Sequence, residues 1–574
     1  MGPSPLLDIL VQLTAQLEGV PRHLGQHSGG MLLSRDALER YTPIRASANG
    51  VMIAAFNKDD VESMGLVKLD VLGLRSLSVV QAAVDKTLEA TGQPLEIDDI
   101  PLDDPRVYDL ICAGETLGLF QIESPGQMAL VAKHQPRDFQ SLIAQIALLR
   151  PGPIQGNAVH PFVRRARGEE AVTYPHPSLE PILRDTHGVM LYQEQVMEIA
   201  HRFAGFDWGK VDRFRKLMGK FRDSHEMQAL RGEFVNAARA THPDCPLETI
   251  EEVFQSCAKF AGYGFPRSHS AAFAKTVYQT AFLKVYHGAA YFAGVLEHHP
   301  GMYSRQTLVH EAQRHGVTLL PPNLEKSALG FALEPITTPS GSSLAIRLPL
   351  ESVKHVSLED ARLILLERAA HPFASVDDLH ARVPVKRDVL EALGTTGALE
   401  TFGSRRDVLW RLGELFNARG AAGQGSPLLE VTPDLPDLSW LDPLELASWD
   451  AATAGASTGA HVMAFHRASL NASGVTPISR MTGERCTVAG VVIAQQRPPT
   501  AKGFTFVMLE DESGRVQVIV PPKVYPRVEA TLRSRCLIVS GRVQRVANWR
   551  GLVLERIRVF APTQPTRMSH RLSA

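Results

Sequence analysis

The chain has 574 residues and a formal net charge of −1. At roughly 100–200 residues per domain, about three to five domains are expected. A hydrophobic fraction of 44% suits globular domains with real cores. No run of about 18 apolar residues is available to span a membrane. The five cysteines, Cys112, Cys245, Cys257, Cys486 and Cys536, are scattered and form no CxxC pair. That argues against a cysteine-based zinc site or a disulfide framework and fits a reducing cytoplasm. The 21 histidines show no HExxH pattern. With net charge near zero, any nucleic-acid reading must rest on how charge is distributed.

The N-terminus, MGPSPLLDILVQLTAQLEG, has no basic region and no small-residue cleavage site, so it predicts amphipathic structure, not a signal peptide. Residues 1–85 mix this helical start with glycine turns and strand-like runs at Val51–Ala55 and Leu66–Leu72. Strand periodicity puts Lys68 and Asp70 on one face. Residues 86–300 read as helices broken by Pro and Gly, including a helix over Gln193–Phe203. Lys210–Arg222 holds six basic residues and one acid. Val211, Phe214, Leu217 and Met218 form an apolar helical face; Arg213, Lys216 and Lys220 form a second face. Such a helix can neutralise phosphates or simply be solvated. In Lys259–Ser270, glycines permit close backbone approach. Aromatics, Arg267, Ser268, Ser270 and His269 there could contact a nucleotide, or the loop could simply join two helices.

Residues 301–417 predict short helices and turns, and 418–480 a Gly/Ser/Pro/Asp/Ala-rich linker. Residues 481–565 hold five short β-runs separated by turn signals, which suit a small barrel of the OB-fold type. Phe504 and Phe506 fall on one face of their strand, either toward the barrel core or away from it.

Five segments occur in this order: GLVKLDVLGLRSL (65–77), LGLFQIES (117–124), LLRPGP (148–153), LYQEQVM (191–197) and FAGYGFPRSHSAAFA (260–274). Together they resemble the palm–fingers core of bacterial C-family DNA polymerases, the DNA polymerase III alpha-subunit type, in its C-terminal part. PRHLGQHSGG (21–30) and HPGMYSRQTLVHEAQRHGV (299–317) resemble the error-prone, damage-associated branch. The KFAGYGF…SHSAA stretch is nearer the replicative pattern.

The resemblance implies a multidomain α+β chain. Its parts would be the C-terminal part of a palm (1–85), mainly helical fingers (86–300), a helix-hairpin-helix and clamp-binding region (301–417), a linker (418–480) and an OB-fold β-barrel (481–565). It implies template-directed dNTP addition on primer–template DNA by a two-metal mechanism with two Mg²⁺ ions, with a role in error-prone translesion synthesis. Asp70 is the implied metal ligand, and Lys68 would steady a phosphate or the primer terminus. Arg213, Arg215, Lys216 and Lys220 are implied triphosphate or template contacts; Arg150, Arg267, Ser268 and His269 are further ones. In the barrel, Phe504, Phe506, Trp549 and Arg550 would meet single-stranded template, with charge from Lys502, Arg542 and Arg545. Gln193 and Glu194 would instead position the helix that they begin.

The family's other two aspartates sit in a Pro-Asp-Ile-Asp-type motif that this sequence lacks. Asp59–Asp60 and Asp98–Asp99 are adjacent pairs and cannot share a strand face. A separate N-terminal polypeptide with a PHP domain and the first half of the palm is therefore an expected partner. The alternative is a truncated chain that grips primer–template without chemistry. In the first hairpin, Leu350–Glu367, Ser352, His355 and Ser357 stand near positions where glycines would expose N–H groups to phosphate. The second, residues 390–403, keeps Gly394 and Gly397. QGSPLL (424–429) is a candidate peptide for a sliding clamp, and other replication or damage-response proteins are expected partners. No proofreading exonuclease is expected.

Overall fold

Side-chain caps set many of the helix starts. Asp104, Ser124, Asp138, Ser304, Ser357 and Asp442 each accept backbone N–H groups at the first turn of the helix that follows. Ser357 with Asp360 and Asp442 with Glu445 form reciprocal capping boxes. The computed structural model describes residues 5–20, 25–47, 49–71, 73–149, 159–220, 225–261, 265–339, 341–421, 441–498 and 501–561. It divides into two units, residues 1–75 and 76–574.

In the first unit, the helix Pro5–Leu17 buries none of its residues. Strand β1 (Gly30–Leu33) pairs antiparallel with β4 (Val67–Asp70). Strand β2 (Ile44–Ala46) pairs antiparallel with β3 (Met52–Ala54). Among the described residues, Val61 is the one apolar side chain of this unit that is buried. A unit of this size normally buries about 60% of its unfolded surface, and this one has almost no core. Asp59 and Asp60 lie on the helix Lys58–Ser63, where Asp60 closes a capping box with Asn57.

In the second unit, the long helices Arg75–Thr91, Arg267–Tyr286 and Gly288–His298 supply much of one core, including Val79, Tyr278, Phe292 and Val295. The first of these runs through the boundary expected at 85. A second core gathers Phe203, Phe206, Phe214, Phe234 and Phe254 from helices between 193 and 261. The short-helix region after 301 also holds a sheet that periodicity missed. In it β5 (Thr318–Leu320) and β6 (Ala332–Thr338) flank β7 (Gly341–Arg347). A third core, with Leu350, Ile364, Leu379, Leu390 and Leu412, joins the helices that follow.

The described residues of the expected linker are structured. From 441 on it forms the helix Pro443–Thr453 and two short helices. Asp450 pairs with Arg405 at 2.6 Å, and Gln306 and Gln313 hold Ser457, Thr458 and Gly459 through their backbone. Polar composition concealed a strap whose polar groups are satisfied by partners distant in sequence.

Strands β8 (Arg485–Gln496), β9 (Thr505–Asp511), β10 (Gly514–Val520), β11 (Cys536–Val546) and β12 (Trp549–Val559) close a barrel in the order β10-β12-β11-β8-β9. The β10–β12 pairing is parallel. A helix that turn signals did not reveal, Tyr525–Leu532, joins β10 to β11. Val507, Leu509, Val516, Val518, Leu537 and Leu552 fill the interior.

Buried ions lock the barrel to the helical body. Glu311, with no exposed surface, accepts from Lys284 Nζ at 2.6 Å and from Arg515 Nη1 at 2.5 Å. Burial alone would raise its carboxyl, but Arg515 and Lys284 hold it well below the usual carboxylate range. Lys284 also donates to the carbonyls of Glu115 and Leu117. Removing one partner strands the others in low dielectric, so Glu311→Leu should lower the unfolding free energy by about 3–5 kcal/mol. Glu555→Ala, which breaks an exposed pair with Arg485, should cost under about 1 kcal/mol. Denaturant melts compare the two.

His134 is buried, and its Nδ1 meets Gln145 Oε1 at 2.8 Å. Because Gln145 spends its amide N–H on Gln127, that histidine nitrogen is the donor. Burial pushes His134 down to about 4, against about 6.5 unfolded. The native state then binds fewer protons, so its stability is intact above about pH 6.5 and falls as pH drops toward 4. The loss should approach about 3 kcal/mol at the lower end, and the slope should shrink in His134→Gln, read from melts at stepped pH.

Candidate active site and nucleic-acid interface

The β1–β4 pair brings together the strand residues singled out above. Asp70 ends β4 opposite Gly30, and Lys68 Nζ meets Asp70 Oδ1 at 2.5 Å, as shared facing requires. His27 stands on the other side, its Nε2 3.9 Å from the same oxygen. His27 Nδ1 accepts from the N–H of Gly29 and of Gly30, so in the neutral ring the proton sits on Nε2, toward Asp70. A Cβ at Gly30 would lie 2.9 Å from His27 Nδ1 and 3.1 Å from Lys68 Cε, so a larger residue there would displace both side chains from Asp70. The hydrogen bond from Lys68 lowers Asp70 below the ordinary carboxylate range, leaving an ionised group about half exposed. His27 was legible only as part of a motif, because its role comes from a backbone turn.

An ionised, accessible carboxylate is a fitting oxygen ligand for Mg²⁺. Among the described residues, however, no group of three potential metal ligands includes Asp70. One carboxylate does not make a two-ion site.

Two such groups do occur in the second unit, and both are filled by donors. In His310–His461–Glu510, His461 Nδ1 accepts from Met463 N. His310 Nε2 faces the amide nitrogen of Gln306, whose orientation Ser457 fixes. Each histidine therefore turns an N–H toward Glu510, at 3.6 and 3.3 Å, and has no lone pair left for a cation. In Glu115–Glu311–His315, Lys284, Arg314 and Arg515 already take the cation's place.

In the fingers-like region, Val211 and Phe214 are buried and Arg213 is exposed, 4.0 Å from Glu233. Arg215 pairs with Asp212 at 2.9 Å. The helix runs Trp208–Lys220; the side chains of Lys216 and Lys220 lie outside the described residues, as does Arg150. Arg267 opens the helix Arg267–Tyr286, its guanidinium 3.0 Å from Gln140 Oε1 and 3.4 Å from Asp185. Ser268 and His269 follow on the surface, and the His269 ring lies 4.1 Å from Phe273. Glu194 lies in the first turn of its own helix and also serves another. It accepts the backbone N–H of Arg267 and so places a negative charge at that helix's positive end. Gln195 ties the start of its own helix, accepting from Leu191 and Tyr192 N–H.

The hairpins behave differently from open phosphate cradles. The Lys354 N–H, in the first, is taken by the Thr453 carbonyl at 2.6 Å, and His355 occupies a left-handed conformation with φ of 70°. In the second, Gly397 has φ of +78°, and a Cβ there would lie 2.6 Å from Arg405 Nε. Arg405 covers this turn, bonding the Thr395 carbonyl and Glu400. QGSPLL lies outside the described residues.

On the barrel, Phe504 is exposed and Phe506 half-buried, outside the interior. Lys502, Arg542, Arg545 and Arg550 are exposed, and Arg545 stands directly opposite Arg550 across β11–β12. Trp549 corrects the expectation of a stacking side chain. It is 6% exposed, packed on Ala129 and Ala132, with Lys133 Nζ 3.9 Å over its ring. Its faces are already used. Trp549→Ala should therefore cost about 3–5 kcal/mol of stability, whereas Arg550→Ala should leave stability within about 0.5 kcal/mol. Paired thermal melts read the contrast.

Residues 3–73 match the bacterial DNA polymerase III alpha NTPase domain, 76–242 the finger domain of that subunit, and 316–409 a helix-hairpin-helix motif. The break between the first two matches falls at the break between the two units. An error-prone DNA polymerase of Mycobacterium bovis is 38% identical over 96% of this chain and 50% of its own length. That of Corynebacterium efficiens is 39% identical over 96% and 51%; that of Burkholderia pseudomallei is 38% identical over 97% and 54%. The chain thus spans about half the length of the curated relatives it matches. It belongs to the bacterial C-family DNA polymerases, the DNA polymerase III alpha type, in their error-prone branch.

Proposed function

We propose that the chain is the part of an error-prone DNA-directed DNA polymerase that carries the second half of the palm, the fingers, the helix-hairpin-helix region and a single-strand-binding barrel. Its reaction is template-directed addition of dNTPs to a primer in the cytoplasm, including across damaged template. The carrying observation is the β1–β4 pair, which presents an ionised, accessible Asp70 flanked by Lys68 and His27.

When bound in the completed site, two Mg²⁺ ions would activate the primer 3′-hydroxyl and hold the triphosphate. Asp70 is one oxygen ligand for them. The remaining carboxylates come from polypeptide that the relatives carry outside the matched half. The first unit supports this. The helix Pro5–Leu17 exposes Leu6, Leu10, Leu13 and Leu17, and β1 and β4 expose Met31, Leu33, Val67 and Leu69. Apolar surface of this extent marks an interface. With Asp70 holding a cation, Lys68, which now pairs with it, would be free to meet a phosphate. Arg213, Arg215 and Arg267 are cations held by exposed or half-exposed acids, pairs weak enough to exchange for phosphate.

The barrel reads as an OB-fold. Its strand order, the parallel closing pair and the helix between its third and fourth strands support that reading. Arginines facing each other at 545 and 550 repel unless an anion lies between them, which favours a phosphate backbone. A sliding clamp remains the proposed processivity partner.

Primer extension tests the proposal, using this chain mixed with the half of a relative that lies outside the match. Extension should require Mg²⁺ and both polypeptides, and Asp70→Ala should reduce it at least about 10³-fold (~4 kcal/mol). Asp59→Ala should leave it within about twofold. Equal extension by Asp70→Ala would remove Asp70 from the site.

A further inference from the structure

Trp208 is 57% exposed, an unusual position for a tryptophan. Its orientation is nonetheless fixed. The helix that begins at Gln193 ends in a π-helical turn, Ile199–Phe203, a feature frequent at functional sites. Within that turn His201 Nδ1 meets the Phe206 carbonyl at 2.7 Å. The imidazole then lies stacked on the indole, centroids 4.5 Å apart and planes 27° from parallel. One face of Trp208 is thus backed by a ring that is itself held by the backbone.

Among the described residues, the Trp208 indole N–H makes no hydrogen bond, and the ring belongs to none of the buried cores. Other exposed aromatics are tied: Trp410 donates to Glu414 and Tyr286 to Asp104. Packing therefore does not account for Trp208.

The flanking segment, residues 198–213, carries three cations and three acids, and its cations are exposed. Arg202 and Arg213 are mostly exposed, each near one acid, Glu198 at 3.8 Å and Glu233 at 4.0 Å. Lys210 lies one helical turn from Arg213, and Lys216 and Lys220 follow on the same helix. Asp207 is spent on the Lys210 N–H at the helix start. A pre-oriented, exposed indole on a segment that also carries exposed cations suits single-stranded nucleic acid, with the ring taking a base and the cations the backbone.

We propose that Trp208, backed by His201, is a stacking platform for an unpaired nucleobase of single-stranded DNA, with Arg202, Lys210 and Arg213 contacting the adjoining phosphates. The inference rests on the polymerase reading above, since it requires that the chain bind DNA. Trp208 and His201 act as binding residues, not catalytic ones.

The test is binding of a fluorescent oligothymidylate, and of an abasic oligonucleotide of equal length, to the full chain and its variants. Trp208→Ala should bind the oligothymidylate about tenfold more weakly, within the range for one stacked base. It should bind the abasic strand as the wild type does. Trp208→Phe should stay within about threefold on both strands, while the share of tryptophan quenching that depends on bases disappears. Unchanged thermal melts would show that the exposed site is not structural. Equal oligothymidylate affinity of wild type and Trp208→Ala would overturn the platform and leave the polymerase reading standing. No binding of either strand by the wild-type chain would overturn both.

Discussion

A single buried carboxylate, that of Glu311, governs how the second unit is assembled. It draws Lys284 from one helix and Arg515 from the barrel into a desolvated centre, with Arg314 and His315 closing its half-buried rim. Glu115 joins through Arg314 and Arg515. Each charge there is costly alone and tolerable only with the others. Such a cluster fixes geometry more than it adds stability: the barrel can seat on the helical body in the one register that pairs every charge.

That seating decides what the barrel has left to offer. The outer faces of β9 and β10 carry Met508, Glu510 and Arg515, and these are used against the helical body through its apolar core, His310 and Glu311. Trp549 is consumed in the same way by Ala129, Ala132 and Lys133. What stays open is the exposed Phe504, the half-buried Phe506 and the arginines of β11 and β12. The first unit has the opposite economy. Among its described residues it buries a single apolar side chain, Val61; it exposes its apolar helix and holds Asp70 beside Lys68 on a short strand pair.

Strand alternation made the shared facing of Lys68 and Asp70 legible; that the two pair is a finding of the structure. Helical spacing likewise made the burial of Val211 and Phe214 legible. The order of five segments carried the family. Three things were not legible. The strap 441–480 looked like a linker because its polar residues find partners more than a hundred positions away, as Ser457 does at Gln306. Trp549 looked like a stacking residue because nothing local shows that Ala129 and Ala132 leave room for it. His27 was visible only within its motif, because its role depends on Gly29 and Gly30 presenting their N–H groups to its ring.

The central claim is that Asp70 ligates metal in a polymerase site completed by another stretch of polypeptide. The most direct measurement is a structure of the completed enzyme with primer–template, a non-reactive dNTP analogue and Mg²⁺. The account predicts a Mg²⁺ ion about 2.0–2.1 Å from an Asp70 carboxylate oxygen, with Lys68 displaced toward a phosphate. Metal bound elsewhere, with Asp70 still held by Lys68, would contradict it.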